Sequence, residues 1–236
     1  MGGFNKQKGT YKGGPGKMRL ENIKVYDLEE SLIASGYPMR TELTPREPDE
    51  KDIRRGLNLT KASNGNGAHG QWLTGVRVAF DLTCTNKMWV EAERYRFLEF
   101  VSSQSTMHRI TKFNLDGQYC EYVDPRVIDI MQKKIDEYNK LKETHDSLPG
   151  GASNKLRQEY NDLLKKKYLE ILYTNPAGFE LTARMTTNYR CLLNIYIQRC
   201  DHRLPEWREF CAQLLELPMF PKLVEAYRAG KVSAEI

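Results

Sequence analysis

The sequence predicts an α+β fold, in which a sheet is flanked by helices and a helical hairpin is inserted, and three segments carry this prediction. The segment Trp72 to Thr85 alternates apolar with polar residues and is rich in β-branched and aromatic side chains, which is typical of a half-buried strand. Between Pro125 and Tyr173, apolar residues recur at spacings of three and four, which indicates helices. A further apolar helical run, NYRCLLNIYIQR, extends from Asn188 to Arg199.

The elements that precede the hairpin are predicted from composition and turn residues. Residues 1–18 are rich in glycine and lysine and have no apolar periodicity, so we expect a flexible tail there and a single domain over residues 19–236. The segment Asn22 to Ile33 resembles a short strand followed by the start of a helix. The polar stretch from Arg40 to Gly70, which includes SNGNGAHG, predicts a loop. The segment Lys87 to Met107 predicts a helix that leads into a loop.

The hairpin is predicted over about residues 125–173 as two antiparallel helices with charged outer faces. Pro125 suits a first helical turn, and Ser153 is a suitable N-cap after the break at Pro149-Gly150-Gly151. We expect this insertion to pack on the body of the protein or on a second subunit.

Turn residues divide the C-terminal part of the chain. The run Asn175-Pro176-Ala177-Gly178 breaks the chain before the helix that begins near Asn188. Leu204-Pro205 precedes a helix from Glu206 to Leu215, and a last amphipathic helix is predicted from Pro221 to about Ala229.

Composition narrows the class of protein. Hydrophobic residues make up 40% of the 236 residues and charged residues 28%, which is ordinary for a globular protein, and no apolar run is long enough to cross a bilayer. The five cysteines are dispersed without a CxxC pair, so we expect neither a disulfide framework nor a zinc site, and a reducing cytoplasm. The four histidines lack metal-ligand spacing. Neither GxSxG nor GxxxxGK[ST] occurs. GxGxxG occurs once, at Gly65, Gly67 and Gly70, but these glycines do not follow a predicted strand, so they do not indicate a dinucleotide-binding loop.

The run NYRCLLNIYIQR is unusual because polar residues interrupt an apolar helix. Buried amides and guanidiniums need hydrogen-bond partners, so their presence suggests a ligand. At about 100° per residue, Arg190 and Asn194 share one face, while Asn188 and Arg199 lie near the other. The latter two are separated by about 16 Å along the axis, which leaves room for an extended ligand.

A second polar cluster combines the segment Glu91 to Arg96 with the segment Ser102 to Arg109. Arginine forks and hydroxyls at the end of a helix are suited to a phosphate or a planar heterocycle. The alternative is a surface helix with ion pairs, followed by a polar turn.

Taken in order, these segments resemble the flavin-dependent thymidylate synthases of the ThyX type. Glu206-Trp207-Arg208 resembles a downstream helix of that family, and Pro176 lies where the family has a proline. The strongest match is the pattern Asn-x-Arg-x-Leu-x-Asn-x-x-x-x-Arg, formed here by Asn188, Arg190, Leu192, Asn194 and Arg199.

The N-terminal half is similar to the family in a looser way. Ser35 resembles the serine of an early flavin loop, and His69, with the strand ending at Phe80, resembles a histidine-containing segment and strand of the family. Aligned without gaps from Phe80, Arg94-Tyr95-Arg96 matches an Arg-His-Arg signature, and Glu91 matches a glutamine.

The chain departs from the family pattern in the next segment and at one earlier position. With a one-residue insertion, Ser105 falls on the family's serine, but Ser103 stands in place of a glutamate and Met107 in place of an arginine. Gly75 stands where a flavin-binding histidine is expected. These departures imply a changed nucleotide, a changed one-carbon chemistry, or a fold retained without catalysis.

The resemblance implies a central antiparallel or mixed sheet and an FAD-dependent enzyme. The enzyme would move a one-carbon unit from methylenetetrahydrofolate to C5 of dUMP or a related pyrimidine deoxynucleotide, with NADPH as reductant. It would be a cytoplasmic homotetramer with sites between subunits. Arg199 and Ser105 are the implied catalytic residues. The implied substrate-binding residues are Arg199, Glu91, Arg94, Ser103 and Ser105. The implied cofactor-binding residues are Ser35, Arg94, Arg96, Asn188, Arg190 and Asn194.

Two other functions stay open at this point. One is a non-catalytic nucleotide-binding or assembly protein on the same fold. The other is a nucleic-acid-binding module that uses the basic tail and the arginines, although the net charge of +5 is modest and nucleic acid is not the expected partner.

Overall fold

A computed structural model describes residues 18–44 and 46–230, and within them the predicted α+β class is confirmed. One antiparallel sheet has the strand order β1-β2-β4-β3, so β1 and β3 are its edges. Its strands are β1 (Arg19–Tyr26), β2 (Arg77–Thr85), β3 (Glu99–Ser103) and β4 (Glu180–Asn188). The helices are α1 (Leu28–Ala34), α2 (Glu50–Ala62), α3 (Asn86–Ala92), α4 (Thr106–Arg109), α5 (Pro125–Asp146), α6 (Asn154–Thr174), α7 (Tyr189–Arg199), α8 (Pro205–Leu214) and α9 (Phe220–Ala229).

The main core lies between the sheet and the C-terminal helices. Phe80 of β2 contacts Phe210 of α8 edge to face, with ring centroids 6.1 Å apart, and Trp207 packs beside Phe210 at 5.7 Å. All three side chains are buried, and burial of each contributes about 1.5–3 kcal/mol to stability. This core fixes α7 and α8 against the end of β4, where the candidate site lies.

The hairpin α5–α6 is confirmed and has a smaller core of its own. Pro125 opens α5, and the Ser153 side chain caps α6 by accepting a hydrogen bond from the backbone N–H of Leu156. Met131, Ile135 and Ile171 pack with Phe179 and their neighbours in this second cluster. The hairpin therefore packs on the body of the chain near the start of β4.

The predicted loop from Arg40 to Gly70 is wrong, because most of it is helical. Helix α2 is closed at its start by a reciprocal capping box between Asp49 and Asp52, and a 3-10 helix covers Gly67–Thr74. The buried face of α2 consists of Asp52, Gly56 and Thr60, at a spacing of four residues. Ile53 and Leu57 repeat at the same spacing beside this face, but this single apolar pair lies in a mostly polar segment, and the polar composition was taken to indicate a loop.

Two strands also lay outside the prediction. The segment Lys87 to Met107 contains the short helix α3 but then β3, all of whose residues are exposed, so it shows no alternation. Strand β4 fills the interval between the break at Asn175–Gly178 and helix α7. The strand predicted from Trp72 begins at Arg77, because Trp72 belongs to the 3-10 helix.

The predicted strand and helix after Asn22 are confirmed as β1 and α1, and the two terminal helices as α8 and α9. The predicted tail lies outside the described residues, apart from Met18, which is buried in the main core.

Candidate functional site

The site is organised around Asn188, where β4 passes directly into α7. The Asn188 Oδ1 atom accepts a hydrogen bond of 2.9 Å from the backbone N–H of Cys191, which caps the first turn of the helix. In the sheet, Asn188 pairs with Arg77, the first residue of β2. The side chain is buried and structural, so its remaining amide nitrogen is the part that is free to face a ligand.

A cleft of about 550 Å³ opens beside this junction. The 3-10 helix, the start of β2, the connection between α3 and β3, and the first turns of α7 form its walls. It is lined by Gln71, Thr74, Arg77, Arg94, Tyr95, Arg96, Phe97, Asn188, Arg190, Cys191 and Asn194. The cleft thus brings together five of the six predicted cofactor-binding residues. None of its lining residues is an aspartate or a glutamate.

The cleft is electropositive because its arginines have no anionic partner. Within the described residues, no carboxylate lies within the 4.0 Å ion-pair distance of Arg77, Arg94, Arg96 or Arg190. Arg190 donates only to neutral groups, one of them the carbonyl oxygen of Gly67 at 3.1 Å. Arg96 lies over the ring of Phe97, 5.6 Å from its centroid. Guanidiniums that have no anionic partner are suited to bind a phosphate group.

A smaller cavity of about 250 Å³ adjoins the cleft on the other side of α7's polar residues. Arg190 and Asn194 line both cavities, so their predicted common face is confirmed. The glycine-containing segment at Gly67 and Gly70 forms part of this second wall. Arg190 and Asn194 are therefore shared by the two cavities.

Arg199, at the far end of α7, is in the opposite electrostatic state. Its Nη1 donates to Glu91 Oε2 at 3.1 Å, and its Nε donates to the hydroxyl of Tyr95 at 2.8 Å. The guanidinium also lies over the rings of Trp207 and Tyr95, at 5.0 and 5.7 Å. The side chains of Arg199 and Glu91 are each only 14% exposed. The arginine implied to bind the pyrimidine is therefore engaged by a carboxylate of its own chain.

Glu91 collects several donors on one carboxylate. Trp207 Nε1 donates to Glu91 Oε2 at 3.1 Å, and Lys87 Nζ lies 3.5 Å from Oε1. Partial burial by itself raises the pKa of Glu91, but the Trp207 hydrogen bond and the positive charge of Arg199 outweigh it, so the pKa lies below its ordinary value. Glu91 is thus ionised at neutral pH.

Tyr95 connects the cleft with the Glu91–Arg199 pair. Its ring lines the cleft, while its hydroxyl accepts from Arg199 and donates to Gln198 Oε1 at 3.0 Å. Sequence reasoning did not select Tyr95 as a functional residue, nor Gln71, Thr74 or Arg77. The register of β2 against β4, which places Arg77 opposite Asn188, was the missing information.

The three predicted serines do not line the cleft of this chain. Ser103 pairs with Ala183, five residues before Asn188 on β4, which is about 17 Å away at ~3.4 Å per residue. Ser105 follows it at the start of α4. Ser35 Oγ donates to the carbonyl of Leu32 at 2.6 Å and accepts from Arg55 Nε at 3.0 Å. None of the three lines the cleft, so their predicted roles stay predictions.

The departures from the family pattern have local structural reasons. A side chain at Gly75 would clash with Ser31 Oγ, so this position cannot carry a histidine unless Ser31 moves. Met107, in place of an arginine, is 59% exposed. Among the residues that the structure describes, His, Cys, Asp and Glu side chains form no group able to hold a metal ion, and no helix is long and apolar enough to span a membrane.

Comparison with known proteins identifies the fold. No protein-family model matches the sequence, and no curated protein matches it. Thymidylate Synthase X (ThyX) from Helicobacter pylori, solved with FAD and dUMP, is similar in structure with a TM-score of 0.56 and 14% identity, over 90% of this chain and 99% of that chain. A second H. pylori ThyX complex with FAD and dUMP gives 0.55 and 14%, over 88% and 97%.

A third similar structure has a different name. The UMP/dUMP methylase PolB from Streptomyces cacaoi, bound with 5-Br dUMP, has a TM-score of 0.56 and 15% identity, over 90% of this chain and 94% of that chain. At these identities the likeness establishes the fold. The predicted ThyX-like fold, inferred from NYRCLLNIYIQR and the segments around it, is confirmed.

Proposed function

We propose that the protein is a flavin-dependent enzyme that acts on dUMP or a related pyrimidine deoxynucleotide, in a reaction like that of thymidylate synthase. The observation that carries the proposal is the cleft at the start of α7, where guanidiniums without anionic partners, asparagine amides and aromatic rings line about 550 Å³. Cavities that hold small molecules are commonly about 300–1,000 Å³, so the cleft is large enough for one part of a dinucleotide. The solved proteins of the same fold were bound with FAD and dUMP or with 5-Br dUMP.

The residues of the cleft fit the chemical groups of FAD. Arg94, Arg96 and Arg190 offer guanidinium forks to its phosphates, and the amides of Asn188 and Asn194 offer hydrogen bonds to the polar edge of a flavin ring. Bound FAD would supply the redox chemistry, with methylenetetrahydrofolate as one-carbon donor and NADPH as reductant. The protein's own contribution is to orient the two rings and to exclude water.

Arg199 is the residue proposed to bind the pyrimidine. A guanidinium beside the ring stabilises the negative charge that develops on it during the reaction. In this chain, Arg199 must exchange part of its contact with Glu91 for a contact with the base. Glu91 accepts hydrogen bonds only, whereas a glutamine amide at this position would also donate, so the base must bring a donor to Glu91.

The proposal includes a homotetramer in the cytoplasm. Strand β3 is an edge strand, and Phe100 and Val101 on it are 45% and 61% exposed. An exposed apolar edge is a common site of association between chains. Ser103 and Ser105 lie on and beside this edge, and on this proposal they contribute to the site of another subunit. Light scattering during gel filtration measures the oligomeric state. The five free thiols suit a reducing compartment.

The test is a flavin-binding experiment with matched variants. Purified protein that is loaded with FAD and freed of excess should keep a flavin absorbance band, and NADPH should bleach it when dUMP is present. Arg94→Gln should weaken FAD binding about tenfold or more, because a hydrogen bond to a charged group contributes about 1.5–3 kcal/mol. Arg54→Gln removes the same charge from an exposed position on α2 and should leave binding unchanged. Protein that stays colourless at saturating FAD would contradict the proposal.

The pair Glu91–Arg199 favours a second candidate, a non-catalytic nucleotide-binding protein on the same fold. An arginine already neutralised by a carboxylate stabilises a charged transition state less well than a free one. This candidate predicts a colourless protein whose melting temperature rises when dUMP is added. A nucleic-acid-binding role gains no support from the described residues, and the tail invoked for it lies almost entirely outside them.

A further inference from the structure

Arg77 is a cleft residue that the sequence pattern did not assign to any function. It is the first residue of β2, and its neighbours Val76 and Val78 are buried in the main core. Because side chains alternate along a strand, Arg77 is directed to the opposite face of the sheet, where it is exposed and lines the cleft. Its partner in the ladder is Asn188, the residue at which α7 begins.

The cleft concentrates positive charge. Arg77 stands with Arg94, Arg96 and Arg190 around one cleft, and none of them has a carboxylate within ion-pair distance among the residues described. Like charges that share a cleft with low-dielectric walls repel each other and concentrate anions. Arg54 is also exposed but does not line the cleft, so it serves as a comparison.

The arginines come from three separate parts of the chain. Arg77 is on β2, Arg94 and Arg96 precede β3, and Arg190 is in the first turn of α7. Guanidiniums that converge from several sides on a cleft of about 550 Å³ fit an anion longer than one phosphate. Two linked phosphoryl groups offer each fork its own set of oxygens.

We propose that Arg77 is a fourth anion-binding residue of this cleft and that it binds the second phosphoryl group of a diphosphate. This deepens the proposed function, since it assigns to the cleft the diphosphate of a dinucleotide such as FAD, and it rests on that proposal for the identity of the ligand. Arg77 has no other partner in the described structure, so its charge is available to the ligand.

The experiment compares Arg77→Gln with the wild-type protein and with Arg54→Gln. Glutamine keeps the polar stem but removes the charge. FAD and FMN are titrated by flavin fluorescence, and inorganic diphosphate by its effect on the melting temperature. Arg77→Gln should weaken FAD binding about tenfold and FMN binding less than threefold, and it should reduce the thermal shift given by diphosphate. Without ligand and at low salt, its melting temperature should equal or exceed that of the wild type.

The outcomes separate this inference from the proposed function. If the wild type binds FAD and Arg77→Gln binds it equally well, the inference is overturned while the function stands. An equal loss for FAD and FMN overturns the assignment to the second phosphoryl group. If FAD does not bind but diphosphate stabilises the wild type and not Arg77→Gln, the inference holds and the flavin function fails. Protein that responds to neither ligand overturns both.

Discussion

The arginines at the two ends of α7 are in opposite situations. At the C-terminal end, Arg199 contacts a carboxylate, a tyrosine hydroxyl and two aromatic rings. At the N-terminal end, Arg190 joins three other arginines in a cleft without a carboxylate. A guanidinium whose partners are all internal contributes to stability, whereas one without an anion contributes little until a ligand arrives. The arginines of the cleft can thus bind an anion without losing an internal ion pair, whereas Arg199 can bind a ligand only by giving up part of its contact with Glu91.

The origin of the difference is local. Arg199 lies against α8, where the buried Trp207 restricts access of water and also donates to Glu91. Arg94 and Arg96 lie in the connection between α3 and β3 and are exposed. Charge in a partly buried environment requires a counter-charge from the protein, while exposed charge is stabilised by water.

The largest effect that we expect comes from removal of the internal carboxylate. Glu91→Ala should lower the free energy of unfolding by about 3 kcal/mol, because it leaves Arg199 without its anion and Trp207 Nε1 without its acceptor. Urea unfolding at pH 7 measures this, and Glu93→Ala, at an exposed position on the same turn, is the control. Equal effects of the two substitutions would show that the pair carries no stability.

The same variant has a defined pH dependence. The pKa of Glu91 is lowered in the folded protein, where burial opposes and the Trp207 hydrogen bond and Arg199 favour the ionised form. A lowered folded pKa contributes stability above the ordinary value of 4.5, and this contribution is lost as the pH falls through the folded pKa. The difference in the free energy of unfolding between the wild type and Glu91→Ala should therefore become smaller as the pH is lowered.

The fold was largely predictable where buried residues recur in the sequence at a regular spacing. The hairpin and α7 to α9 show this period, and the capping residue Ser153 was identified correctly. Strand β3 was missed because it is exposed throughout, so it lacks the contrast between buried and exposed faces that sequence patterns report. Helix α2 was missed because its fully buried residues are Asp52, Gly56 and Thr60, and the apolar pair Ile53 and Leu57 beside them is short within a polar segment.

The site was predictable along one element but not between elements. The side chains on α7 follow from helical spacing, so Arg190 and Asn194 were placed correctly on one face. Arg77 depends on strand register and the Glu91–Arg199 pair on the position of α3 relative to α7, which no local pattern encodes. The roles of Ser35, Ser103 and Ser105 stay predictions, because none of the three lines the cleft.

Two carboxyl groups differ in a similar way, Glu91 on α3 and Glu180 at the start of β4. Glu180 is 3% exposed, and burial raises its pKa to about 7, with Glu206 and Glu209 adding to the effect and Arg19 opposing it. The Trp207 hydrogen bond and nearby cations favour the charged form of Glu91, whereas burial favours the neutral form of Glu180. The two carboxyl groups should therefore make stability depend on pH in opposite directions.

Replacement of Glu180 tests this second contrast, with an intermediate effect. A raised folded pKa gives stability that is fully present below the ordinary value of 4.5 and is lost as the pH rises through about 7. Between pH 5 and pH 8 the free energy of unfolding of the wild type should fall by about 2 kcal/mol more than that of Glu180→Gln. Urea unfolding at both pH values measures the loss, and Glu216→Gln, on the surface, is the control. Parallel profiles of wild type and Glu180→Gln would rule out the buried neutral carboxyl.

The smallest change in the free energy of unfolding is expected for an arginine of the cleft. The same substitution, Arg to Gln, is made there and in the Glu91–Arg199 pair, so the two kinds of arginine are compared directly. Arg199→Gln should cost about 2 kcal/mol, since it leaves Glu91 without its main cation. Arg94→Gln should change the free energy of unfolding by less than ~0.5 kcal/mol, because no internal partner is lost. At low salt its sign should be slightly stabilising, since one of four like charges is removed from the cleft. The gain should vanish at about 0.5 M salt, where screening shortens the range of repulsion to a few ångströms. A loss above ~1 kcal/mol in Arg94→Gln would mean that this arginine already has a partner in the folded protein, and the cleft would then be a structural cluster instead of a site that awaits an anion.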